Sequence, residues 1–210
     1  MIPRYQKVIF ILLLLASLGM GAELWHLRER AHQRLLAGET TAPTKAPIVA
    51  PAEEATLLVA NDMDGSLTPQ ERSLPLPADP GVRARVLLGK LLDLYAAPDA
   101  AHPVPGGAAG VGQVFLMPVP GANTKNSSSP GALLAVVNLT GAFAAGHPSG
   151  IETESLTVLS MCGTLRANLP DVAEVRFLVD GQQRATLAGH ADLTRTYLTA
   201  DAAPTGTTTQ

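Results

Sequence analysis

"VANDMDGSLTPQER", running from Val59 to Arg72, decides how this chain folds. Matched to the calcium-loop pattern D-x-[DN]-x-[DN]-G-x5-E, it puts Asp62, Asp64, Gly65 and Glu71 at the third, fifth, sixth and twelfth places. That reading requires helices on both sides. The other reading is strand, tight turn, strand. "TLLVA" (56–60) is a short apolar run of the kind that makes a buried strand, and Asp-Gly pairs favour turns. Two features oppose calcium. The first ligand position holds Ala60, which has no side-chain oxygen, and Val59 and Ala60 close a strand pattern rather than a helix.

Outward from that stretch, the pattern alternates. "RSLPLPA" (72–78) suits a returning strand, confined to an edge by Pro75 and Pro77. Asp79 is a natural helix cap with Pro80 in the first turn. Val82, Val86, Leu87, Leu91, Leu94 and Tyr95 make the apolar stripe of that helix, and Arg83, Arg85 and Lys90 its wet side. "AAPDAAHPVPGGAAGVG" (96–112) reads as a loop. Its glycines lack the Lys-Ser/Thr of a phosphate loop. "QVFLMPV" (113–119) and "ALLAVVNLTGAF" (132–143) read as strands on either side of the polar loop 120–131.

Ser149 and Glu152 have the spacing of a capping box. The helix behind them carries Leu156, Leu159, Met161, Cys162 and Leu165 on its stripe and stops before Pro170. "EVRFLV" (174–179) and "RATLAG" (184–189) form a hairpin across Asp180-Gly181. The expected fold is α+β, in the order β(β)-α-β-β-α-β-β, with the helices packed on one sheet.

The chain of 210 residues is long enough for one domain with a real core plus flanking segments. Residues 8–27 are expected to be a transmembrane signal anchor, with 1–7 cytoplasmic. Arg4 and Lys7 precede the unbroken apolar run Val8 to Ala22, and Tyr5 and Trp25 mark the interfaces. Met20 stands where a signal-peptide cut prefers a small residue, so an uncleaved anchor is favoured over a leader. Residues 28–55 read as a helix extension and a Pro/Ala/Thr linker, 56–200 as the domain, and 201–210 as a disordered tail. Beyond Ala37 the chain carries 10 basic and 16 acidic residues, a composition that argues against nucleic acid.

"GIETESLTVLSMCGTLRANLPDVAEVRFLVDGQQRATLAGHADLTR" (150–195) resembles the second half of a GerMN domain, the module of the spore-germination protein GerM. The resemblance is carried by Glu154, Leu156, Thr157, Thr164, Leu165, Asn168, Pro170, Val175, Phe177, Leu178, Asp180, Gly181, Thr186, Leu187, Gly189, His190, Asp192 and Leu193. The first half fits through an early strand, a "D-G…E-R" turn, a helix and a Pro/Gly loop. This implies an extracytoplasmic module linked to sporulation, germination and the cell envelope. It also implies that Asp64-Gly65 is a hairpin turn between the first two strands.

The functional expectation is a non-enzymatic binding or assembly module. It would sit on the inner membrane as a single-pass protein with its domain outside, facing envelope proteins or peptidoglycan. No catalytic, metal or cofactor residue is expected. Glu154, His190 and Asp192 form a possible interaction or ligand surface. The runner-up is an envelope-polymer enzyme or small-ligand receptor using a pocket near His190 and Asp192. The lone Cys162, on the helix stripe, is expected to be a buried small hydrophobe.

Overall fold

The computed structural model describes residues 6, 13–14, 17–25, 51–119 and 132–202. The chain divides into two compact units, residues 1–48 and 49–210. In the first, residues 17–25 are helical. No helix of the described residues is long and apolar enough to cross a membrane. The expected anchor at 8–27 falls partly outside the described residues, as do most of the linker and the loop 120–131.

The second unit opens with a hairpin. Strand β1 (Ala52–Asn61) pairs antiparallel with β2 (Ser66–Pro75), from Ala52 opposite Pro75 to Asn61 opposite Ser66. The segment Val59–Arg72 is therefore strand, turn and strand. Its carboxylates do not converge. Asp64 accepts from Ser66 N–H and Oγ, while Glu71 lies opposite Thr56, five register steps from the turn. The return strand begins at Ser66, six residues before the expected "RSLPLPA". Likewise β1 begins at Ala52, inside the expected linker.

Helix α1 (Pro80–Tyr95) starts as its sequence predicts: the Asp79 carboxylate accepts from Val82 N–H at 2.8 Å and Pro80 occupies the first turn. Its buried face is rotated from the expected stripe. Ala84, Leu88 and Leu92 join Leu87, Leu91 and Tyr95 inside, and Val82 is exposed. The helix buries a wider arc because β1 and the segments 107–118 and 151–168 all press on it. A 3-10 turn (Gly107–Gly110) leads into β3 (Val111–Pro118), which pairs antiparallel with β4 (Leu133–Leu139). The expected fourth strand is shorter than its apolar run: Thr140 caps a short helix α2 (Gly141–Gly146), accepting from Phe143 N–H, and Phe143 is buried.

Helix α3 (Ile151–Asn168) is capped by Gly150, without a side-chain cap. The Ser149–Glu152 capping box does not form. Glu152 is exposed beside the Gly65 turn, and the carboxylate that reaches back to the Gly150 N–H is Glu154, at 3.2 Å. Strand β5 (Val172–Val179) runs parallel to β4. Asp180 and Gly181, at φ +50° and +75°, make the two-residue turn that needs left-handed backbone at both positions. The turn closes through Val179 and Gln182 and goes no further. "RATLAG" is not a strand. The next ladder on β5 is β6 (Tyr197–Leu198), antiparallel to it.

The architecture is α+β, but the expected single sheet is two: the β1–β2 hairpin and a four-stranded sheet β3-β4-β5-β6. One core joins them. Leu57 and Leu58 of the hairpin, Leu87, Leu88, Leu91 and Leu92 of α1, Met161, Cys162 and Leu165 of α3, and Val137, Val175 and Phe177 of the sheet belong to one buried cluster. Helix α3 also seals the free edge of β1. Thr164 Oγ1 accepts from Leu58 N–H, Asn168 Oδ1 accepts from Thr56 N–H, and Asn168 Nδ2 donates to Thr56 O. The Tyr95 hydroxyl takes the Ala60 N–H. Side chains thus replace a third strand, and the edge offers little for another chain to pair with. Thr199–Ala202 form a final 3-10 turn with Thr199 and Ala202 buried, so the domain runs past the expected start of the tail at 201.

Candidate functional site

The polar side chains that meet inside the domain gather around the first half of α3. The chain begins at the β1–β2 turn, where Asp62 Oδ1 lies 2.5 Å from His102 Nδ1. His102 Nε2 is 2.7 Å from Thr157 Oγ1, and on the other side of the same oxygen His147 Nε2 is 2.8 Å away. His147 Nδ1 ends the chain on Pro148 O at 2.7 Å. His102 and Thr157 are wholly buried, and His147 is 5% exposed.

Proton positions follow from the partners. A carbonyl oxygen can only accept, so His147 Nδ1 donates to Pro148 O. Burial lowers the basicity of His147 below the usual histidine range, opposed by the Pro148 carbonyl and reinforced by His102. The His147 ring is therefore neutral and its Nε2 accepts the Thr157 hydroxyl proton. Thr157 in turn accepts from His102 Nε2–H. The contact of His102 Nδ1 with Asp62 Oδ1 closes the cluster at the hairpin turn. The cluster is a one-directional relay from the hairpin turn to the Pro148 carbonyl.

One helical turn before Thr157, Glu154 is also wholly buried. Its Oε2 accepts from the backbone N–H groups of Ala188, His190 and Ala191, each at 2.9 Å. Its Oε1 accepts from Gly150 N–H and, at 2.9 Å, from His190 Nδ1. Burial pushes this carboxyl up, but the Ala188, His190 and Ala191 donors hold it down at about 2. This cage explains why "RATLAG" leaves the sheet: the amides of Ala188, His190 and Ala191 turn to a buried carboxylate, not a strand. Gly189, at φ +131°, permits the wrap.

Of the three residues expected at the surface site, Glu154 and His190 come together and Asp192 does not. The Asp192 carboxylate closes its own turn on Thr194 Oγ1 and N–H, which hold its pKa below the ordinary aspartate value. His190 is the accessible member, with its side chain 41% exposed. His102 and His147 were not singled out by the sequence; Asp62 stood there only as a candidate calcium ligand and Thr157 only as a residue of the family resemblance. The local signal of the two histidines is that both precede a proline, which holds a residue in extended backbone within a loop. Cys162 is buried, and burial pushes its thiol far above the usual range.

Asp62, His102 and Thr157 have the spacing of an acid–base–nucleophile triad. The arrangement can polarise a hydroxyl, but Thr157 Oγ1 already has His147 as partner and faces no solvent. Among the described residues, no group of three or more His, Cys, Asp or Glu could hold a metal ion. An open groove of about 510 Å³ lies elsewhere, between the start of α1 and β3, lined by Asp79, Val82, Arg85 and Phe115.

Fold and site together define an α+β domain of two sheets whose inner polar groups are committed to one another. The chain belongs to the Germane family, described as sporulation and spore germination, whose model matches residues 56–185. A crystal structure of a candidate lipoprotein from Clostridium perfringens is similar at 17% identity, with a TM-score of 0.35, over 75% of this chain and 95% of that one. No curated protein matches the chain.

Proposed function

We propose that the domain is a non-enzymatic binding or assembly module of the bacterial cell envelope, acting in a sporulation- or germination-type role. The observation that carries this reading is the closed state of the polar cluster: Asp62, His102, Thr157, His147 and Glu154 bond one another and the backbone rather than face a cleft. Their work is to pin the hairpin turn and the 182–196 loop to α3. Family membership supports the biological setting. The basic start followed by Val8 to Ala22 supports a single-pass anchor with the domain outside the inner membrane, next to envelope proteins or peptidoglycan.

A reporter active only outside the cytoplasm, fused after Gln210, tests the location. Signal from an uncleaved product in the membrane fraction is expected, and an inactive reporter on a fusion that accumulates at full length overturns the topology. Pull-down with the full chain from solubilised envelope tests the binding role. The triad spacing favours one second reading, an enzyme acting on envelope polymer. Turnover of peptidoglycan fragments that Thr157→Val abolishes would replace the binding role. The half-exposed His190 ring is what a small-ligand site at this end would use, without Asp192.

A further inference from the structure

The four-stranded sheet has one face on the core and an opposite, outer face. Register fixes the outer rows: Met117, Leu134, Glu174 and Leu198 lie side by side, with Leu134 itself buried at 8% exposure, and Phe115, Val136 and Arg176 form the next row. Val114, Ala135, Val137, Val175, Phe177 and Tyr197 point the other way and are buried. On the outer face Phe115 is 51% exposed, Met117 42% and Leu198 51%. Half of the large apolar side chains that the 49–210 unit leaves exposed among its described residues thus stand on one face. Clustering of that kind marks an interaction surface, whereas scattered single residues do not.

The charges on this face name the occupant. Glu174 and Arg176 stand two residues apart on β5, amid the apolar side chains, and neither has an ion-pair partner among the described residues. Among the described residues Arg176 donates to Thr196 Oγ1, at 3.2 Å. A lipid surface would have to bury one carboxylate and one guanidinium with no counter-charge. A uniformly acidic or basic partner would satisfy one of the two and repel the other. A second identical face, turned by a two-fold axis, satisfies both. Glu174 of each copy meets Arg176 of the other, and the apolar rows close around them. Sheets packed face to face lie about 10 Å apart, a gap that these two side chains reach across together.

We infer that the outer face of the β3-β4-β5-β6 sheet pairs with the same face of a second copy of this chain, through reciprocal Glu174–Arg176 contacts inside an apolar frame. This surface lies away from the polar cluster, so it stands or falls apart from the binding role proposed above. Sedimentation equilibrium of the full chain over about a hundredfold range of concentration reads the association. Wild type is expected to dimerise, Glu174→Arg and Arg176→Glu each to weaken the dimer by about tenfold or more, and the double swap to restore it to within about threefold. Phe115→Gln is expected to give monomer with unchanged far-ultraviolet circular dichroism. Rescue by the double swap separates a lost contact from a misfolded variant and from association through residues 1–48. Wild type that stays monomeric, a dimer indifferent to both single reversals, or single defects that the double swap fails to repair overturns the inference.

Discussion

Thr157 has one hydroxyl proton and two acceptors within reach, His147 Nε2 and, at 3.1 Å, Thr153 O, while His102 Nε2–H donates to it. The relay derived above uses the first, so removing the oxygen strands two buried imidazole nitrogens. Thr157→Val keeps the shape and should cost roughly 2–6 kcal/mol, because each of the two buried groups left without a partner costs roughly 1–3. Thr157→Ser keeps the oxygen and should cost under about 1.5 kcal/mol; chemical denaturation compares them. Equal losses would mean that packing, not the hydroxyl, matters. Protons also set the stability profile. The folded state lowers His147 from 6.5, so its contribution is full above pH 6.5 and declines as pH falls below it. Glu154 is lowered from 4.5 to about 2, so its contribution is full above pH 4.5 and is lost between there and pH 2. Denaturation midpoints should therefore fall in two steps on acidification. Glu154→Gln should shrink the lower step, leaving the part that Asp192 and Asp64 contribute, and a variant with that step undiminished would put the acid sensitivity elsewhere.

At the scale of elements, α3 shows how crowding overrides propensity. Gly163 in mid-helix normally costs about 1 kcal/mol relative to Ala. Here an added Cβ would stand 2.9 Å from Ala202 O and 3.0 Å from Leu58 Cγ. Overpacking of this kind costs roughly 1–3 kcal/mol, so Gly163→Ala should destabilise despite its better helix propensity. A higher melting temperature would show that the 199–202 turn yields freely. Leu165 and Phe177 are both wholly buried in the core shared by α3 and β5. Leu165→Ala should cost roughly 2–5 kcal/mol and Phe177→Ala roughly 3–5. Arg166, exposed and donating to Thr199 Oγ1 at a long 3.5 Å, should lose little on change to Ala. A loss at Arg166→Ala as large as that at Leu165→Ala would mean the helix is rotated from this phase.

At the scale of the molecule, local chemistry was readable and assembly was not. The Asp79 cap, the two Asp/Gly turns and the phase of Leu165 each depend on neighbours within four residues, and those were legible from sequence. Polar bonds between α3 and the hairpin, such as Asn168 to Thr56, span 112 residues and leave no periodic trace. The same holds for the relay, whose members come from the hairpin turn, a Pro-flanked loop, the segment before α3, and α3 itself. Splitting into two sheets follows from these long-range bonds: once Thr164, Asn168 and Tyr95 satisfy the edge of β1, the hairpin needs no strand from the larger sheet. That dependence makes a last prediction. A two-stranded hairpin is marginal alone, so its stability must come from α1 and α3. Because those helices also cover the large sheet, the domain should unfold as one unit. Leu58→Ala on the hairpin should then lower amide-exchange protection in β5 by the same factor as in β1, measured under conditions where whole-domain opening dominates. Loss of protection confined to β1 and β2 would show that the hairpin detaches by itself, and that the Asn168 and Thr164 bonds tether it without coupling it to the sheet.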